Sequence, residues 1–69
     1  MNDPRQRART LIAQRAITLL DLWVRYWANG GSAKLFELDA YINCIQEPDP
    51  FELMVLEWAL EDMVGDQRF

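Results

Sequence analysis

Residues Leu11–Ala28 read LIAQRAITLLDLWVRYWA, and the spacing of their apolar side chains decides the fold class. At about 100° per residue, Leu11, Ile12, Ala13, Ala16, Ile17, Leu19, Leu20, Leu22, Trp23, Val24, Tyr26 and Trp27 fall on one very wide arc. Only a narrow strip of Gln14, Thr18, Asp21 and Arg25 is polar. Period-two alternation persists nowhere for more than a few residues, so strands are set aside. Working upstream, Asp3-Pro4 has the form of a helix entry, with Asp3 as N-cap, Pro4 where its missing N–H costs nothing, and Gln6 three residues after the cap. Working downstream, Asn29-Gly30-Gly31 is a stop, because both residue types accept the left-handed conformation that ends helices. The spacing therefore predicts one helix over about residues 4–28, with residues 1–9 fraying.

The remaining chain divides in the same way. Ser32 can cap a second helix over about residues 33–46, in which Leu35, Leu38, Ile42 and Ile45 form a packing seam and Phe36, Ala40 and Cys44 a second stripe. Asp49-Pro50-Phe51-Glu52 repeats the entry signal, with Glu52 placed to reach back to the cap N–H. A third helix then covers about residues 50–64 and stops at Gly65. Its apolar residues fall on two flanks, Leu53, Leu56, Leu60 and Met63 on one, Phe51, Val55 and Trp58 on the other. Short connections between amphipathic helices are those of a bundle. The expected fold is an all-α three-helix bundle, a single domain over residues 1–69, completed by dimerisation.

Dimerisation enters through stability. A chain of 69 residues builds a core worth only about 3–5 kcal/mol unless something staples it. A single Cys cannot close an internal disulfide, and a chain without His cannot assemble a Cys/His zinc cluster. A surface helix needs an apolar stripe of only about 100°, and at least two of the three expected helices exceed it. The surplus is either an exposed patch or a face covered by another copy or another protein. With 51% apolar and 12% aromatic residues, the chain is of the folding kind rather than the disordered kind.

The composition also bears on chemistry. Nucleophilic catalysis most often relies on His as base, and there is none. Cys44 has no cation nearby in sequence and reads as a buried structural thiol. Glu57, Glu61 and Asp62 lie together on one helix and read as a solvated face. Gly30-Gly31 lacks the strand and the Lys-Ser/Thr of a phosphate loop. No catalytic, cofactor or metal residues are assigned, and the chain is read as a non-enzyme.

Charge is unevenly spread. Residues 1–25 carry five Arg against Asp3 and Asp21, whereas residues 26–69 carry Lys34 and Arg68 against nine carboxylates, for a total of −4. Arg5, Arg7 and Arg9 are either a solvated end, a contact for acidic protein surface, or a phosphate contact. A pI near 4.5 argues against a nucleic-acid-binding domain, for which a value above about 9 is usual. The Gln46–Asp49 turn fits a helix-turn-helix, but residues 51–64, its recognition helix, hold no Lys or Arg at all.

The functional expectation is a homodimeric interaction module, regulatory or adaptor-like and cytoplasmic. The dimer is built mainly through the first helix, whose arc around Ile12, Leu19, Trp23 and Trp27 forms the shared seam, and Ile12, Leu19, Trp23, Tyr26, Trp27 and Trp58 are the interface residues, Trp and Tyr being frequent hot-spot residues. The alternative is a nucleic-acid-associated regulator using the N-terminal arginines, and a small all-α enzyme ranks below that. No stretch approaches the roughly 18 apolar residues of a membrane span, so no membrane partner is expected.

Overall fold

In the computed structural model, which describes residues 3–65, α1 runs Pro4–Ala13, α2 Leu19–Ala28, α3 Leu35–Ile42 and α4 Pro50–Gly65. The all-helical expectation holds, but among the described residues there are four helices, not three. The expected helix over 4–28 is broken in its middle. Arg15 takes a left-handed φ of 60°, and the Arg15 and Ala16 N–H groups donate to Ile12 and Leu11 carbonyls at 3.0 and 2.9 Å. These are the two bonds of a Schellman stop, made without glycine. Thr18 then restarts the chain: its hydroxyl accepts from the Asp21 N–H at 3.0 Å, while the Thr18 N–H points to the Asp21 carboxylate at 3.4 Å.

Burial accounts for the break. A continuous helix of that length would run about 37 Å and carry the apolar side chains of its second half away from those of its first. Folding α2 back instead brings Leu22 and Tyr26 into the same core as Ala8. Left-handed backbone at Arg15 costs about 1–2 kcal/mol, whereas burying one large apolar side chain yields about 1.5–3 kcal/mol, so the turn is outweighed by what it buries.

The second expected helix is also shorter than 33–46. Cys44, at φ 61°, donates to Tyr41, and Ile45 donates to Ala40 at 2.9 Å, a second Schellman stop on a non-glycine residue. Ile45, expected in the packing seam, is carried out of the helix and lies exposed, and Cys44 is exposed rather than buried. Ser32 does not cap α3. Lys34 is the cap residue, and its N–H donates to Glu37 at 2.8 Å. The third stop, at Asn29-Gly30-Gly31, is where it was expected, with Gly30 at φ 105°.

The expected entry signals hold in part. Asp3 caps α1 by accepting from the Arg5 N–H at 2.9 Å, and Asp49 caps α4 by accepting from the Glu52 N–H at 2.9 Å. Of the stretch expected to fray, Pro4–Arg9 form the first turns of α1, and Met1 and Asn2 lie outside the described residues.

α1 and α2 each pack against both α3 and α4. The core joins Ala8 of α1, Leu22 and Tyr26 of α2, Leu38 and Ile42 of α3, and Val55, Leu56, Ala59 and Leu60 of α4, with Ile17 and Ala33 from the connections. Val55 therefore faces inward with Leu56 and Leu60, away from Phe51 and Trp58.

Candidate functional site

Beneath the surface, one polar cluster fixes how α2 and α4 present their outer sides. Glu52, expected to cap its own helix, turns inward and is almost fully buried. It accepts hydrogen bonds from the Tyr26 hydroxyl, from the Ser32 hydroxyl at 3.0 Å and from the Ser32 N–H at 3.4 Å. The Tyr26 oxygen in turn accepts from the Ala33 N–H at 3.0 Å, and Trp23 Nε1 donates to the Ala33 carbonyl at 3.0 Å. A buried carboxylate is tolerated when donors converge on it, and here they clamp the 29–34 connection between the two helices. Burial, and then the hydrogen bond to Glu52, pushes the Tyr26 hydroxyl well above the usual tyrosine range. Burial also raises Tyr41, assisted by the charges of Glu52, Glu37 and Asp49.

This cluster corrects one expected contact residue. Tyr26 is fully buried and has no surface to offer a partner. The break at Arg15 puts Ile12 on α1 and Leu19, Trp23 and Trp27 on α2, so the seam expected along one first helix is divided, and Ile12, Leu19 and Trp23 are half-buried against the core. Trp27 and Trp58 stand outward, 63% and 42% exposed.

Each of these two Trp residues belongs to an apolar stripe. On α2, Leu20, Val24 and Trp27 follow i, i+4, i+7 spacing, with Leu20 and Val24 exposed at 56% and 49%. On α4, Phe51, Met54 and Trp58 follow i, i+3, i+7 spacing, with Phe51 and Met54 exposed at 51% and 44%. Leu20, Val24, Phe51 and Met54 were not among the expected interface residues. Their signal was the excess width of the apolar arc, which shows that a face is left over but not which residues make it. Phe36 and Ile45 are also exposed.

The two stripes differ in electrical setting. α2 holds one Asp and one Arg, Asp21 and Arg25, and so has no net formal charge. α4 holds Glu52, Glu57, Glu61 and Asp62 and no cation. With Glu52 turned inward, the outer side of α4 is flanked by Glu57 and Glu61 along one edge and Asp62 along the other, at about 100° per residue. Beside this stripe, Pro4, Pro50, Leu53, Met54 and Glu57 line an open groove of about 260 Å³.

Two of the three candidate arginines are held within the molecule. Arg5 forks onto the Asp3 carboxylate, with Nη2 to Oδ2 at 2.7 Å, and lies 3.5 Å from Glu47. The hydrogen bonds from Arg5 hold the Asp3 carboxyl below its ordinary range. Arg9 donates to the Ile42 carbonyl at the end of α3 and reaches Cys44 Sγ at 3.5 Å. A cation on the last carbonyl of a helix is favourable with respect to its dipole, so Arg9 serves as a cap for α3. Arg7 lines an open groove with Gln6, Thr10, Leu11 and Val64.

No known protein family, curated protein or solved structure matches this chain. Among the described residues, no helix is long and apolar enough to cross a membrane.

Proposed function

We propose that this chain is a small interaction protein, regulatory or adaptor-like and without catalysis of its own, that forms a homodimer through the outer face of α2. The observation that carries the reading is the exposed Leu20–Val24–Trp27 stripe. Such contiguous apolar surface is uncommon on a soluble monomer, and Trp is among the residues that dominate interface energetics. A twofold pairing places the same face of both copies in contact, which demands a face that does not repel itself. α2, with Asp21 balanced by Arg25, meets that demand. Burial of the stripe also adds the apolar area that a chain of 69 residues needs for more than marginal stability. The reading places the protein in the cytoplasm, where a lone thiol is ordinary.

The test is Val24→Glu, a change at an exposed position that leaves the core untouched. Chromatography with light scattering should show the mass halved and far-UV circular dichroism unchanged. Identical masses for the variant and the parent protein would remove the reading.

A further inference from the structure

The second outward stripe differs from the first in its charge. Phe51, Met54 and Trp58 are exposed along about 10 Å of α4, and the acids Glu57, Glu61 and Asp62 border them on both sides. α4 carries no Lys or Arg. Among the described residues, neither Glu57 nor Glu61 forms an ion pair, and Asp62 accepts from the neutral Asn29 Nδ2 at 3.0 Å. Two copies of this face brought together would oppose like charges, which disfavours it as a self-association surface. The basic N-terminal end of a second copy is a weaker complement, because Arg5 and Arg9 are engaged within their own chain and of the three only Arg7, which lines an open groove, is left to meet the acids.

We infer that the outer face of α4 docks a basic amphipathic helix of another protein. Large apolar anchors of that helix, at i, i+3/i+4, i+7 spacing, lie along Phe51, Met54 and Trp58. The groove lined by Pro4, Pro50, Leu53, Met54 and Glu57 takes one anchor at the N-terminal end of the stripe. Lys or Arg on either edge of the incoming helix faces Glu57 and Glu61 on one side and Asp62 on the other. Apolar contact supplies the affinity, and the acidic borders select the sign of the partner and speed its approach.

The probe is a synthetic helical peptide with Leu at i, i+3, i+4 and i+7 positions and Lys elsewhere, beside a counterpart in which every Lys is Glu, titrated calorimetrically onto the full chain. The Lys peptide should bind saturably, one per chain, with affinity that falls as salt is added, and the Glu peptide should not bind. Trp58→Ala, and separately the double change Glu57→Lys with Glu61→Lys, should each weaken binding by about tenfold or more, with melting temperature and circular dichroism retained. Val24→Glu should leave peptide affinity unchanged, which separates this face from the α2 dimer. The inference is overturned if the Lys peptide fails to bind, if both peptides bind alike, or if Trp58→Ala leaves the affinity intact. It is equally overturned if Trp58→Ala dissociates the dimer, since a second copy then covers the face.

Discussion

The hydroxyl of Tyr26 donates to the buried carboxylate of Glu52 and accepts from the Ala33 N–H, so one side chain ties α2, α4 and the connection leading into α3. Removing the hydroxyl leaves a buried carboxylate and a backbone N–H each one partner short. Tyr26→Phe should therefore lower stability by about 1–3 kcal/mol, read as a reduced urea midpoint with unchanged m-value. A midpoint equal to that of the parent would mean that water replaces the hydroxyl at no cost.

The same pair sets the alkaline limit of the fold. A tyrosine titrates near pH 10 in the unfolded chain, and burial beside Glu52 raises Tyr26 above that. The folded state thus keeps its proton where the unfolded state has lost it. The stabilisation is complete below pH 10 and is lost as pH rises from 10 toward the folded value. Denaturation midpoints should fall above pH 10, and Tyr26→Phe should flatten that fall. Tyr41, also raised, keeps part of it. A pH profile for Tyr26→Phe that parallels the parent would contradict this assignment.

Gly31 lies against the Tyr26 ring, and a Cβ there would overlap the ring carbons. Gly31→Ala should cost about 1–3 kcal/mol through overpacking. The double variant with Tyr26→Ala should show a smaller penalty for the alanine, because the ring it strikes is gone. Additive losses would place the strain elsewhere.

Arg15 distinguishes the observed fold from the single long helix by the sign of a stability change. Within a continuous helix, Arg15→Gly would destabilise by nearly 1 kcal/mol. At φ 60°, glycine removes a left-handed penalty of about 1–2 kcal/mol against an entropic cost of about 0.5–1 kcal/mol. The variant should be as stable as the parent or more stable, while Thr18→Ala, which removes the α2 cap, should cost about 1 kcal/mol. Thermal melts of the two variants check both signs.

These positions also show what could be read from sequence. The stop at Asn29-Gly30-Gly31 and the entries at Asp3-Pro4 and Asp49-Pro50 use residues whose backbone preferences are strong, and they occur where they were read, although Glu52 leaves the second entry's capping box half made. The stops at Arg15 and Cys44 use residues with no such preference; burial of Leu22 and Tyr26 favours the first, and at the second Arg9 caps the end of α3 through the Ile42 carbonyl. Thr18-Leu19-Leu20-Asp21 did carry a capping signal, but the apolar arc ran through it without interruption and masked it. Glu52 had two competing uses, its own helix N-terminus and the Tyr26 hydroxyl, and only the placement of α2 against α4 decides between them. The excess of apolar surface was legible from the width of the arcs. Its division into a neutral stripe on α2 and an acid-bordered stripe on α4 required knowing which flanks face the core.

Self-association through α2 is read by sedimentation equilibrium over a wide concentration range. A mass of twice the 8.1 kDa chain is expected at the upper concentrations, reverting to the single-chain mass when Trp27→Glu is introduced with helicity preserved. A mass of 8.1 kDa at every concentration for the unaltered protein would contradict it.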